Sequence, residues 1–230
     1  MSSEGIIRPF EEKDRESVRA ICRRTGQKGR PTSLFFEDEA IIPMLYADYY
    51  MDNEPDSCFV AEVNGKVVGY IASSIDARRY KRVMAIRVYP RVCLRIFWKK
   101  LTMQYRKKQT YATLWWIISR GWSEGFSIPF DRYPGHIHFN LESEYRGRGL
   151  GERLSIAAGR HMQEKGVTGS HCIIREEEGD NALSNFLCRE RGYRIMKIKR
   201  NTVWEKVTGN RWYAKLLVRD LDTDSNGGPG

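Results

Sequence analysis

The stretch His136–Leu154, HIHFNLESEYRGRGLGERL, decides how this chain is read. Residues 136–141 form a strand-like run, and Gly147, Gly149 and Gly151 then put three glycines in five positions. From about Leu150 to Lys165, Leu154, Ala157, Ala158, His161 and Met162 fall on one helical face, with Gly166 as the stop. Strand, turn and helix in direct succession can present consecutive backbone N–H groups, and the helix start adds partial positive charge, so the turn reads as an anion cradle. Arg146 and Arg148 add full charges. Glycine at 149 and 151 lets a phosphate approach where a Cβ would intrude. The loop lacks the Gly-Lys-Ser/Thr ending of a P-loop, and its glycine spacing is not that of a dinucleotide-binding turn. A merely tight strand-to-helix connection is the alternative reading.

Upstream, Ile6–Phe10 reads as a strand and Glu12–Thr25 as a helix, with Val18, Ile21 and Cys22 at helical spacing and Gly26 as its stop. Ile41, Ile42, Leu45, Tyr46, Tyr49 and Tyr50 suggest a second amphipathic helix. Cys58–Val63 and Lys66–Ser74 are β-rich runs joined by Asn64-Gly65, the pair suited to the positive φ angles of a two-residue hairpin turn. Downstream, Ser170–Arg175 reads as a strand, the acidic run Glu176–Asp180 as a loop and Asn181–Arg191 as a helix closed by Gly192. Tyr193–Ile198, Val203–Val207 and Trp212–Arg219 read as further strands, and the tail 222–230, DTDSNGGPG, as disordered.

At 230 residues, 41% hydrophobic and 12% aromatic, the chain can bury one substantial core. Lys and Arg outnumber Asp and Glu by 39 to 29, which favours anionic partners. The excess is local: Arg78–Arg120 holds thirteen basic residues and no acid. It belongs to a basic, aromatic insertion, residues 79–131, in which Leu94, Phe97, Trp98, Leu101 and Tyr105 form one helical stripe and Thr113–Ile118 another apolar run. The simpler reading packs that stripe onto the core; the other makes it a membrane or nucleic-acid surface. Five cysteines without short paired spacing argue against a disulfide scaffold or a zinc module, and His136 and His138 without a near third ligand do not close a metal site. The charged N-terminus lacks a signal-peptide run and no stretch is apolar enough to span a bilayer, so a cytoplasmic protein is expected.

Arg146-Gly147-Arg148-Gly149-Leu150-Gly151 matches the Arg/Gln-x-x-Gly-x-Gly/Ala signature of the GCN5-related N-acetyltransferase superfamily, which the chain resembles from about residue 6 to 219. Asn181, Phe186 and the closing Arg191-Gly192-Tyr193 are similar to a second family pattern. Tyr133-Pro134, His136, His138 and Asn140-Leu141 resemble bacterial members related to the acetyltransferase-like domain of O-GlcNAc hydrolases. The resemblance implies a mixed α/β fold, with a mostly antiparallel seven-stranded sheet flanked by helices, in one domain over residues 1–221.

It also implies transfer of acetyl from acetyl-coenzyme A to an amine by direct attack, in a monomer or homodimer. Asn140, Leu141 and Glu142 would hold the pantetheine arm and the thioester. Arg146, Gly147, Arg148, Gly149, Leu150, Gly151 and Glu152 would hold the pyrophosphate, with Asn181 and Phe186 near the pantetheine. His138 is the first candidate base, because an unperturbed imidazole titrates near neutrality, and His136 shares its strand face. Family members place the base nearer Ile137, so a packed histidine is the competing reading. Cys188 stands where the family often has a tyrosine that protonates the leaving thiolate, and a cysteine there is otherwise plain packing. That departure leaves open a catalytically weak acetyl-coenzyme A binding module, and the basic segment leaves open a nucleic-acid- or ribosome-associated protein. Tyr46, Tyr49, Tyr50, Trp98 and Trp115 are candidates for the acceptor side, with Tyr46, Tyr50 and His136 placed first.

Overall fold

The computed structural model describes residues 5–25, 36–120 and 125–221. In chain order the elements are β1 (Ile6–Pro9), α1 (Arg15–Thr25), α2 (Ile41–Tyr46), α3 (Asp48–Asn53), β2 (Cys58–Val63), β3 (Lys66–Ser74), α4 (Ala77–Val83), α5 (Tyr89–Leu101) and α6 (Lys108–Arg120). There follow β4 (Gly135–Leu141), α7 (Leu150–Glu164), β5 (Gly169–Glu177), α8 (Ala182–Glu190), β6 (Arg194–Arg200), α9 (Thr202–Thr208) and β7 (Trp212–Asp220). The strands form one seven-stranded sheet in the order β1-β2-β3-β4-β5-β7-β6. Every neighbouring pair is antiparallel except β4 and β5.

Alternation along β3 separates the two layers, and a bulge opposite Ala61 and Glu62 shifts Val68 onto the side of Ile71. Tyr70 and Ala72 pack with Val18 and Ile21 of α1 and with Tyr49 and Tyr50 of α3. Val68 and Ile71 pack with Leu150, Leu154 and Ala158 of α7 on the opposite face. The β2–β3 hairpin closes as expected, on Asn64 at φ 52° and Gly65 at φ 74°.

Several expectations change. The second amphipathic segment is two short helices, broken at Ala47 (φ −129°), so Tyr46 and Tyr50 sit on different elements. Val203–Val207 belongs to α9 rather than to a strand: Asn201 Oδ1 accepts from Trp204 N at 3.1 Å at its start, and Gly209 (φ 79°) ends it. β5 runs two residues past Arg175, so Glu176 is a buried strand residue and not part of a loop. The proposed stop at Gly26 and the tail 222–230 lie outside the described residues.

The insertion is helical, as expected, but its main stripe points the other way. Asp76 caps α4 by accepting from Arg78 N and Arg79 N, and a π-helical turn, Met84–Val88, carries the chain into α5. Val92 and Ile96 on the inner face of α5, with Val88 just before it, meet Phe36, Ile41, Met44 and Leu45. Leu94, Phe97, Trp98 and Leu101 are instead 60% to 67% exposed, so packing of this stripe onto the core is overturned. The physical reason is Asp38, only 3% exposed, which draws Arg95 (2.6 Å) and Lys99 (3.2 Å) inward. A buried carboxylate without those partners would be strongly unfavourable. Tyr105 does pack inward, with its hydroxyl 3.3 Å from the same carboxylate.

Candidate active site

β4 and β5 run parallel but pair only at Gly135↔Ser170 and His136↔His171. Beyond that point β4 stays on β3 through Leu141↔Gly69, while β5 stays on β7. The two strands therefore diverge and leave a split in the sheet. Glu142 N–H donates to Val68 O at 3.0 Å, on the β3 side. Alternate residues of an antiparallel strand aim their backbone groups in opposite directions, so those of Asn140 and His138 also face β3. Those of Leu141 and Phe139 face the split. Of the three backbone positions expected there, Leu141 faces the split, whereas Asn140 and Glu142 spend their amides on β3. Phe139, not among the expected positions, faces the split as well, because strand parity depends on which neighbour pairs where.

The glycine turn lies where the split opens. Gly147 and Gly149 both have φ 74°, and Gly149 is the N-cap of α7. A helix start leaves its first amides without intrahelical acceptors. Among the described residues, the next amide after Arg146 with a backbone acceptor is that of Arg153, onto Gly149 O at 3.0 Å. A Cβ built on Gly147, Gly149 or Gly151 meets nothing within 4 Å, so the space before these amides is open. Arg146 Nε donates to Leu141 O at 3.2 Å, and the Arg148 guanidinium lies 5.3 Å over the Tyr145 ring. Glu152, exposed in the first turn of α7, is 3.8 Å from Arg191 Nη1, and Arg191 Nε donates to Ser155 Oγ at 3.2 Å. Arg191 thus adds a third cation that sequence reasoning did not assign to the loop. The Glu142 carboxylate is taken by Arg24, with Lys66 at 3.7 Å.

His136, His138 and Asn140 share the sheet face that α1–α3 cover. Asn140 Nδ2 donates to Tyr70 Oη at 2.9 Å and lies 3.1 Å from His138 Nε2. Tyr46, 37% exposed, stacks on the His138 ring at 5.6 Å. Tyr50 is only 1% exposed, with its hydroxyl 2.7 Å from His136 Nδ1, so it forms a wall behind His136 rather than an open substrate contact. Trp98 and Trp115 stand on the exposed insertion helices α5 and α6. Burial, helped by the charge of Arg175, lowers His138 to about 4. Burial also holds His136 well below the usual imidazole value, and takes His171 to about 4. All three rings are neutral near pH 7. A conjugate acid as strong as that of His138 is poorly matched to a base that must keep a proton at neutrality.

At the far side of β5, the buried Glu176 Oε1 accepts from the amides of Leu183 and Ser184, each at 2.9 Å, which caps α8. Its Oε2 accepts from Lys215 Nζ at 2.7 Å, and Lys215 Nζ also donates to Asn181 Oδ1 at 2.7 Å. Asn181 is therefore exposed but held by a buried lysine. Glu176, Asn181, Tyr213 and Lys215 line a recess of about 230 Å³ beside it. Phe186 and Cys188 are partly buried against Leu187 and Cys172 in the cluster that also takes Phe139.

A splayed parallel pair with an open glycine turn at a helix start is the arrangement that the sequence motif anticipated, and the acetyltransferase (GNAT) family model matches residues 27–193. The chain belongs to the GNAT acetyltransferase family. Among solved structures, SsHAT is similar at 24% identity and TM-score 0.68, over 95% of this chain and 98% of that one. A ribosomal-protein-alanine N-acetyltransferase from Brucella melitensis matches at 16% identity and TM-score 0.55, over 94% and 99%. YncA, a putative acetyltransferase from Salmonella typhimurium solved with its cofactor acetyl-CoA, matches at 14% and 0.53, over 98% and 99%. At these identities the likeness establishes the fold. As a GNAT acetyltransferase the protein acts in acyl transfer, and the open amides beside Arg148 fit a phosphorylated acyl carrier.

Proposed function

We propose that this GNAT acetyltransferase moves acetyl from acetyl-CoA to an amine held at the same time, without a covalent enzyme intermediate. The observation that carries the reading is the split between β4 and β5, which joins the open amides of residues 147–152 to the inward backbone of Phe139 and Leu141. The glycine turn, with Arg148 and Arg191, would hold the pyrophosphate. Asn181, fixed by Lys215, and Phe186 would flank the pantetheine arm. Acetyl-CoA supplies a thioester carbonyl. A Phe139 or Leu141 N–H would stabilise the oxygen as the amine nitrogen bonds to that carbon, and the carbon–sulfur bond then breaks.

The proton on the attacking nitrogen needs a receiver. His138, neutral and lined by the half-exposed Tyr46, would take it and release it quickly to water, a relay suited to a weak imidazole base. Cys188 would return a proton to the departing thiolate, with solvent as its substitute. Thiol release from acetyl-CoA over a panel of primary amines tests the reading: the expected result is amine-dependent release that falls several-fold in His138→Asn. That rate should show no histidine inflection between pH 5 and 8. Millimolar acetyl-CoA that gives no binding heat would remove the proposal.

A second reading is an acetyl-CoA binding module with little turnover, favoured by the packing of Cys188 against the Leu187–Cys172 cluster. Tight binding without thiol release from any amine would select it.

A further inference from the structure

We infer that α5 docks the protein on an anionic lipid surface by lying in the bilayer interface. Leu94, Phe97, Trp98 and Leu101 follow the i, i+3, i+4, i+7 spacing of one helical face, and each is at least 60% exposed. The same helix spends Val92 and Ile96 on the protein, so the outward stripe is additional to the face that anchors it. Arg87 and Arg91 precede Leu94 by seven and three residues, which places them along that outward face. Ile86 (68% exposed) and Met103 (80%) extend the apolar surface at either end.

Charge selects the occupant. Arg78–Arg120 has thirteen cations and no acid, leaving 26 cations against 29 acids in the rest of the chain. Arg87, Arg91, Lys100 and Lys108 are exposed and form no ion pair among the described residues. A second copy of the chain joined through this face would bring two such segments together without a compensating acid between them. Nucleic acid would satisfy the cations but leave Leu94, Phe97 and Leu101 in water, because phosphate contacts are made by cations and polar donors. An interface of anionic headgroups over acyl chains satisfies both, with Trp98 at the headgroup level. No helix among the described residues is long and apolar enough to cross a membrane, so the contact is peripheral. The inner face of α5 meets Met44 and Leu45 of α2, the helix whose Tyr46 covers His138, and docking would therefore set the acceptor side close to the lipid.

The test is flotation of the full chain with vesicles of phosphatidylcholine alone and with equal parts phosphatidylcholine and phosphatidylglycerol. The protein should float with the mixed vesicles only, and partly detach at high salt. Phe97→Ser with Trp98→Ser should lower partitioning at least about tenfold, and Arg87→Glu with Arg91→Glu should do the same through charge. Melting temperature and acetyl-CoA binding should stay at wild-type values; should the first pair not fold, Leu94→Ser with Leu101→Ser reads the same stripe. Absence of any preference for anionic vesicles, or wild-type flotation of the serine variants, would overturn the inference. So would a wild-type dimer that the serine variants convert to monomer, or salt-sensitive retention on RNA without vesicle binding.

Discussion

In α7, Leu150, Leu154, Ala158 and Met162 are at most 3% exposed and press into the sheet; in α5, Leu94, Phe97, Trp98 and Leu101 have similar spacing and face outward. The two helices also begin differently. α7 starts at a left-handed Gly149 with open amides before it, whereas α5 continues a π-helical turn through Val88 and has no free start. Periodicity thus says which residues share a face, and the neighbours decide where that face points. Beside α5 the deciding neighbour is Asp38. Burial would raise its pKa, but hydrogen bonds from Arg95 and Lys99 outweigh that and keep the carboxyl below its usual range. Holding both cations inward turns the opposite side of the helix out.

The widest contrast between the two helices is in stability. Leu154→Ala, at a fully buried site, should cost about 2–5 kcal/mol in urea unfolding, whereas Leu94→Ala should stay within about 0.5 kcal/mol. Equal costs would break the comparison.

Acid sharpens it next, because the desolvated imidazoles of His136, His138 and His171 lie on β4 and β5 and the insertion segment Arg78–Arg120 has no histidine. Unfolded histidines titrate near 6.5, while His138 and His171 titrate near 4 when folded and His136 well below 6.5. Between those limits the unfolded chain takes up protons that the folded chain refuses. Their contribution is therefore whole above pH 6.5 and is lost as pH falls, by on the order of 2 kcal/mol at pH 5 for each of His138 and His171. Melting curves from pH 7 to 5 should show a steep fall that weakens in His171→Gln.

The helix starts give a smaller contrast. Gly149→Trp fills the open space before α7 and should weaken acetyl-CoA at least roughly tenfold, or about 1.4 kcal/mol, by calorimetry. Tyr89→Ala at the start of α5 should leave that affinity unchanged.

Much of this was legible in the chain. Asn64-Gly65 announced its hairpin, and Arg146–Gly151 announced both the turn and the helix after it, because positive φ angles at a strand or helix end call for a short list of residues. Asn201 and Gly209, a cap and a stop around Val203–Val207, were also readable but lost to the β-branched residues between them. Other features left no local trace. Glu176 sits in an acidic run that reads as solvated, and only the arrival of Lys215 from β7 makes it a buried pair. That Phe139 rather than Asn140 turns its backbone to the split depends on the β3 register, and the low basicity of His138 depends on what covers it.

The sequence by itself determined the elements, their order, the glycine turn and the concentration of positive charge in one segment, because these follow from local dihedral preferences and from composition. Tertiary structure alone decided where β4 and β5 part, which backbone amides face the gap, how acidic the covered imidazoles become and which way α5 turns. Each of these depends on groups far apart in the chain meeting in a medium that excludes water, where one unpaired charge outweighs the preference of a whole helical face.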